Sequence, residues 1–165
     1  MTFSRRRFIG GIAAGSAGLV APRAFAMVRN DQCPALLPQA MAALDQHRSS
    51  VVQRDVMGLV DFSLPSGLPR FHLVDVLNGR VVMTRLVSHG RGSDPGNSGF
   101  VQRFSNVPGS NASSKGAFLT GDTYFGKHGR SRRLIGLDPE NNLAFPRAIV
   151  IHGASYVDSG MAAAQ

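Results

Sequence analysis

From Val56 onward the chain is a succession of short runs rich in β-branched residues, cut every few positions by glycine, proline or asparagine. That punctuation leaves no room for helix and constrains the fold to short strands joined by tight turns. Val56–Phe62 reads as the first strand, followed by a turn at Pro65-Ser66-Gly67-Leu68-Pro69. Phe71–Leu77 sets Phe71, Leu73 and Asp75 on one face against His72, Val74 and Val76 on the other and runs into Asn78-Gly79, the strongest short hairpin pattern, with Arg80–Val87 as the returning strand. Ala117–Thr120 and Ser131–Leu137 read as further strands, with Gly121–Gly129 as the loop between them. The apolar run Ala148–Ile151, after the turn Asp138–Asn142, has the pattern of a strand buried on both faces. Residues 90–116 are rich in Gly, Ser, Asn and Pro, and Phe100, Val101, Phe104 and Val107 are the side chains expected to pin that long loop to the body.

Before residue 56 the pattern changes. Leu36, Leu37, Ala40, Met41 and Leu44 have helical spacing, so Pro38–His47 reads as one amphipathic helix, with Pro38 tolerable in its first turn. His47 is expected as an exposed residue at its C-terminal end. Residues 1–26 read as a twin-arginine export signal: Arg5-Arg6-Arg7 precede an apolar stretch from Ile9 to Ala21, and Ala24-Phe25-Ala26 supplies the small residues of a cleavage site. The alternative is an uncleaved anchor, although the stretch is short and glycine-rich for a membrane-spanning helix. The expected organisation is a signal over 1–26, a tail and helix over 27–55, and one domain over 56–165. Cleavage would leave no stable membrane span, and the twin-arginine translocase would be a partner during export to the periplasm or cell envelope.

Charge supports few partners. Residues 1–26 hold four of the 18 basic side chains and none of the 10 acidic ones, so the remainder has 14 against 10, a net +4. No basic block with interleaved aromatics suggests nucleic-acid binding. Cys33 is the only cysteine. It excludes an intrachain disulfide and, in a polar N-terminal tail, reads as a free thiol of little consequence.

The residues with chemistry cluster at strand ends. His152 follows the Ala148–Ile151 run and is itself followed by Gly153, which lets backbone or ligand come close. An imidazole there can serve as a general base, or it can simply be satisfied by a backbone carbonyl. His89, Ser105-Asn106, Thr120, Asp122, Tyr124, Lys127 and His128 are the other polar candidates. Lys127, His128, Arg130, Arg132 and Arg133 form a local cationic cluster, which either attracts substrate carboxylates or lies on a solvated strand face. Gly90-Arg91-Gly92 lacks the spacing of a nucleotide-binding loop, and no G-x-S-x-G elbow or H-E-x-x-H pair is present. A zinc site would need His89, His128 and His152 to converge from afar, so no metal and no cofactor are expected.

Three segments together resemble the murein L,D-transpeptidase catalytic-domain family of the YkuD type. They are V-S-H-G-R-G-S, then R-F-S-N-V-P-G-S-N-A-S-S-K-G-A-F-L-T-G-D-T-Y-F-G-K-H-G-R-S-R-R-L-I-G-L-D, then R-A-I-V-I-H-G-A-S-Y-V, within residues 56–158. The resemblance implies a mainly β sandwich or barrel-like domain that acts on peptidoglycan stem peptides. In the family a cysteine forms a thioester and passes the acyl group to an amine or water, with a histidine assisting the thiol. By the resemblance that histidine is His152, with Tyr124, Lys127, His128 and Gly153 on the substrate side. The family's S-x-G-C nucleophile motif does not occur in these 165 residues: Ser88-His89-Gly90 is followed by Arg91. The expectation is therefore a C-terminally incomplete, inactive domain, the alternative being a non-catalytic periplasmic module that binds peptidoglycan.

Overall fold

Pro38 stands in the first turn of α1 (Leu37–Gln46), where its missing N–H costs no bond. Leu37, Ala40 and Met41 then share one face of the helix. In the computed structural model, which describes residues 35–157, that face packs on Leu59 of β1 (Val56–Val60) and Val74 of β2 (Phe71–Asp75). Met57 and Val81 close the margin of this core. Burial of Leu37, Leu59 and Val74 contributes about 1.5–3 kcal/mol for each side chain. The export signal and Cys33 lie outside the described residues.

The described residues are mainly β, as expected: two antiparallel three-stranded sheets and one short helix. The first sheet has the order β1-β2-β3, with β3 spanning Arg80–Arg85. The Asn78-Gly79 hairpin forms, but its loop is wider than two residues, because Asp75 pairs with Arg80. Asp75 accepts from the Asn78 N–H at 2.9 Å and from its Nδ2 at 2.7 Å, which ends the strand at Asp75 rather than Leu77.

The second sheet has the order β4-β5-β6, with β4 at Phe118–Gly126, β5 at Gly129–Gly136 and β6 at Val150–His152. Two expectations fail here. Most of Gly121–Gly129, read as a loop, belongs to β4, which pairs along β5 with an irregularity between Thr120 and Thr123. Only Lys127-His128 turns the chain, and Gly129 takes the left-handed conformation the turn requires, at φ 75°. The second correction concerns β6, which among the described residues is an edge strand and not a strand buried on both faces: Ile151 is 48% exposed. Ala148, at φ 58°, takes no part in it. The Ile149 N–H reaches the Ala144 carbonyl and the Ala148 N–H reaches that of Phe145, a Schellman closure that ends one helical turn and launches β6.

The long loop is held by polar groups more than by its aromatic side chains, a further departure. Phe100 and Val107 are 48% and 64% exposed, and only Phe104 makes a ring contact, edge-on to Phe62 at 5.6 Å. Arg147 does the fastening instead. Its guanidinium donates to the Ser105 carbonyl (2.5 Å), Ser114 Oγ (2.6 Å), Ser110 Oγ (3.0 Å) and the Ala112 carbonyl (2.8 Å). Gly90 and Gly92 let residues 110–112 press against the 3-10 turn Arg91–Ser93, since a Cβ on Gly92 would lie 2.0 Å from the Ser110 carbonyl oxygen. His47 is not an exposed helix end either. Its Nε2 donates to Asp138 Oδ1 at 2.9 Å, and Asp138 Oδ2 accepts from the Ala117 N–H at 2.6 Å, so one carboxylate ties α1 to the start of β4.

Candidate active site

Strand register assembles the site. Tyr124 of β4 pairs with Ser131 of β5, and Ser131 pairs with His152 of β6, so the three side chains stand in one row on one face of the second sheet. Ser131 is buried and its hydroxyl donates to the Gly129 carbonyl at 3.0 Å. The β4–β5 turn brings the His128 ring onto His152, with centroids 4.4 Å apart and planes 19° from parallel.

The two readings of His152 turn out to be compatible. Its Nδ1 lies 2.7 Å from the Gly153 carbonyl oxygen. A carbonyl can only accept, so the proton sits on Nδ1 and the lone pair of the neutral ring is on Nε2. The backbone bond fixes the tautomer a base requires. Apart from Gly153 and its chain neighbours, no described atom lies within 4 Å of where a Gly153 Cβ would sit. Loss of solvation, and then the neighbouring His152 and Lys127, hold the His128 pKa below the ordinary imidazole value.

The remaining candidates divide. Tyr124 and His128 join His152, and Lys127 sits on the same turn. His89 belongs to a different cluster. The buried Arg70 donates to the His89 Nδ1 at 2.9 Å, to the Val87 carbonyl at 2.9 Å and to the Leu64 carbonyl at 2.7 Å. The far nitrogen of His89 faces Asp94 Oδ2 at 3.6 Å. Burial, and then the Arg70 charge, push the His89 pKa down. The Ser98 backbone N–H, followed by that of Gly99, holds the Asp94 carboxyl below its usual range. Ser105 and Asn106 serve the loop: Asn106 Nδ2 donates to Asn142 Oδ1 at 2.8 Å. His89, His128 and His152 therefore do not converge, and among the described residues no group of three or more His, Cys, Asp or Glu could hold a metal ion.

Sequence reasoning missed Ser131 and Asn141. Ser131 becomes visible only through register. Asn141 is fully buried, and its Nδ2 donates to the Lys115 and Ala117 carbonyls at 3.0 and 2.9 Å while its Oδ1 accepts from the Asp138 N–H at 2.9 Å. A sequence shows only an asparagine in a turn.

A family model described as the L,D-transpeptidase catalytic domain matches residues 29–165, which include α1, both sheets and every side chain of the site. Comparison with curated proteins and with solved structures gave no match.

Proposed function

The chain belongs to the L,D-transpeptidase catalytic-domain family of peptidoglycan-modifying enzymes, and on that premise we propose that its second sheet holds the base and the substrate side of a cysteine acyl-transfer site for stem peptides. The observation that supports this most directly is the bond from His152 Nδ1 to the Gly153 carbonyl, which leaves Nε2 free to take a proton. In the proposed reaction that nitrogen takes the proton of a thiol whose sulfur attacks the stem-peptide carbonyl. The proton passes to the departing amine, a thioester remains, and an incoming amine or water releases the acyl group. Tyr124, Lys127, His128 and Gly153 line the approach, and the stacked His128 holds the His152 ring in place.

No described residue supplies the thiol, since Cys33 is the only cysteine of the sequence. A polypeptide of these 165 residues is therefore expected to show no turnover. Export by the twin-arginine route through Arg5 and Arg6 would carry it to the cell envelope, where enzymes of this family typically work. Incubation with tetrapeptide muropeptides followed by intact-mass measurement should give no thioester. Supplying an S-x-G-C segment in frame should create activity that His152→Ala removes, by at least the 10²–10⁴-fold or so of general-base assistance. A thioester on the 165-residue polypeptide that Cys33→Ala abolishes would overturn the assignment. Binding of muropeptides without any activity in the extended polypeptide would favour the non-catalytic module.

A further inference from the structure

The cationic cluster of the β4–β5 hairpin is not one patch. Side chains alternate across a strand, so Arg133 shares the face of Ser131, Tyr124 and His152. Arg130 and Arg132 belong to the opposite face, Arg132 in register with Thr123 and Ile151. Arg133 is also held differently. Its Cζ lies over the Tyr124 ring at 5.7 Å and over the Phe145 ring at 5.5 Å, so β4 and the turn before β6 grip the guanidinium from two sides. Aromatic contacts of this kind fix a guanidinium while leaving its N–H groups available. Only one of these donates within the described residues, from Nη1 to the Phe145 carbonyl at a long 3.4 Å, and no described carboxylate pairs with Arg133.

Resting on the acyl-transfer reading above, we propose that Arg133 is the specificity-determining residue of the site and reads a carboxylate of the acyl-donor peptide. Register locates that carboxylate. His152 stands opposite Ser131, so Arg133 is its diagonal neighbour, about 7–8 Å away between backbones. An extended peptide advances about 3.3–3.6 Å per residue, so that separation spans about two residues. The guanidinium leans over Tyr124, which lies in the His152 row, and this shortens the span toward the residue next to the reacting carbonyl, whose carboxylate is the one assigned to Arg133. A half-buried guanidinium already immobilised by two rings loses little rotamer freedom on binding, and its fork matches a carboxylate in two parallel hydrogen bonds.

The test measures binding of synthetic stem tetrapeptides to the full chain by calorimetry, with no turnover needed. One peptide keeps its carboxylates free; another is amidated only on the residue adjacent to the reacting carbonyl; a third only at its C-terminus. The wild type is expected to prefer the free peptide over the first amide by about 10–100-fold, the range of a charge-assisted pair, and to tolerate the second amide. Arg133→Gln should bind the free peptide and the first amide equally weakly, and Arg133→Lys should keep part of the preference. Arg130→Gln and Arg132→Gln should keep all of it. Should Arg133→Gln not fold, the Nε–H resonance of Arg133 in the wild type should still shift with the free peptide and not with the first amide. A preference that survives in Arg133→Gln, or that follows Arg130 or Arg132, overturns the inference and leaves the acyl-transfer reading standing. Failure of every peptide to bind the wild type overturns that reading, and this inference with it.

Discussion

Replacing Asn141 by alanine should unfold the protein far more readily than any view of it as a turn residue suggests. The side chain is fully buried and makes three hydrogen bonds, all to main chain: the Lys115 and Ala117 carbonyls and the Asp138 N–H. Each bond contributes about 1 kcal/mol net, and a buried partner left unsatisfied costs about 1–3 kcal/mol. The small void admits water to some of these groups, so the expected loss is about 3–5 kcal/mol. With a urea m-value of about 1.5 kcal/mol/M for a domain of this size, the midpoint falls by about 2–3 M. Asn142→Ala, at an exposed neighbour, should shift it by less than about 0.7 M. Asn141→Asp separates donor from acceptor: it keeps the oxygen facing the Asp138 N–H but aims a carboxylate oxygen at two carbonyls. Its folded-state pKa would be raised, so its stability is lost as pH rises, and its deficit against wild type should shrink between pH 7 and pH 4. A midpoint shift under about 0.7 M for Asn141→Ala would refute the view that this side chain joins the start of β4 to the turn that leads into β6.

Ala148 occupies a left-handed position at φ 58°, so Ala148→Gly should raise the urea midpoint, by about 0.5–1 kcal/mol in stability; a lower midpoint would contradict the Schellman closure proposed for that turn. Gly92→Ala must displace the Ser110 backbone and should cost about 1–3 kcal/mol in the same measurement. His89 has a folded pKa below its unfolded value of 6.5, so the unfolded chain takes up its proton first. Stability should therefore decline as pH falls below about 6.5, with a further decline at lower pH as Asp94, whose folded pKa is also depressed, is protonated. A stability profile from pH 7 to 5 that is unchanged by His89→Gln would show that the Arg70–His89 contact does not hold the ring neutral.

What the sequence determined by itself is what depends on neighbours along the chain. Leu37, Ala40 and Met41 at helical spacing specify α1, and Asn78-Gly79 between alternating runs specifies the β2–β3 hairpin. The ordered residues around His89, Tyr124–Asp138 and Arg147–Tyr156 specify the family, and His152-Gly153 marks the candidate base. Tertiary structure decided everything that depends on which strands become neighbours. Gly121–Gly126 looks like loop because strand propensity is weak without a partner, yet the β5 backbone pairs it into β4. The apolar run Ala148–Ile151 reads as buried, but strand order among the described residues leaves β6 at an edge. Arg70, Asn141 and Arg147 are ordinary polar residues in the sequence and become fasteners only when distant carbonyls converge on them. The division of the arginines follows from the same cause. Alternation puts Arg133 and Arg132 on opposite faces of any strand, but only the pairing of Ser131 with His152 determines which of them shares the face of the candidate site.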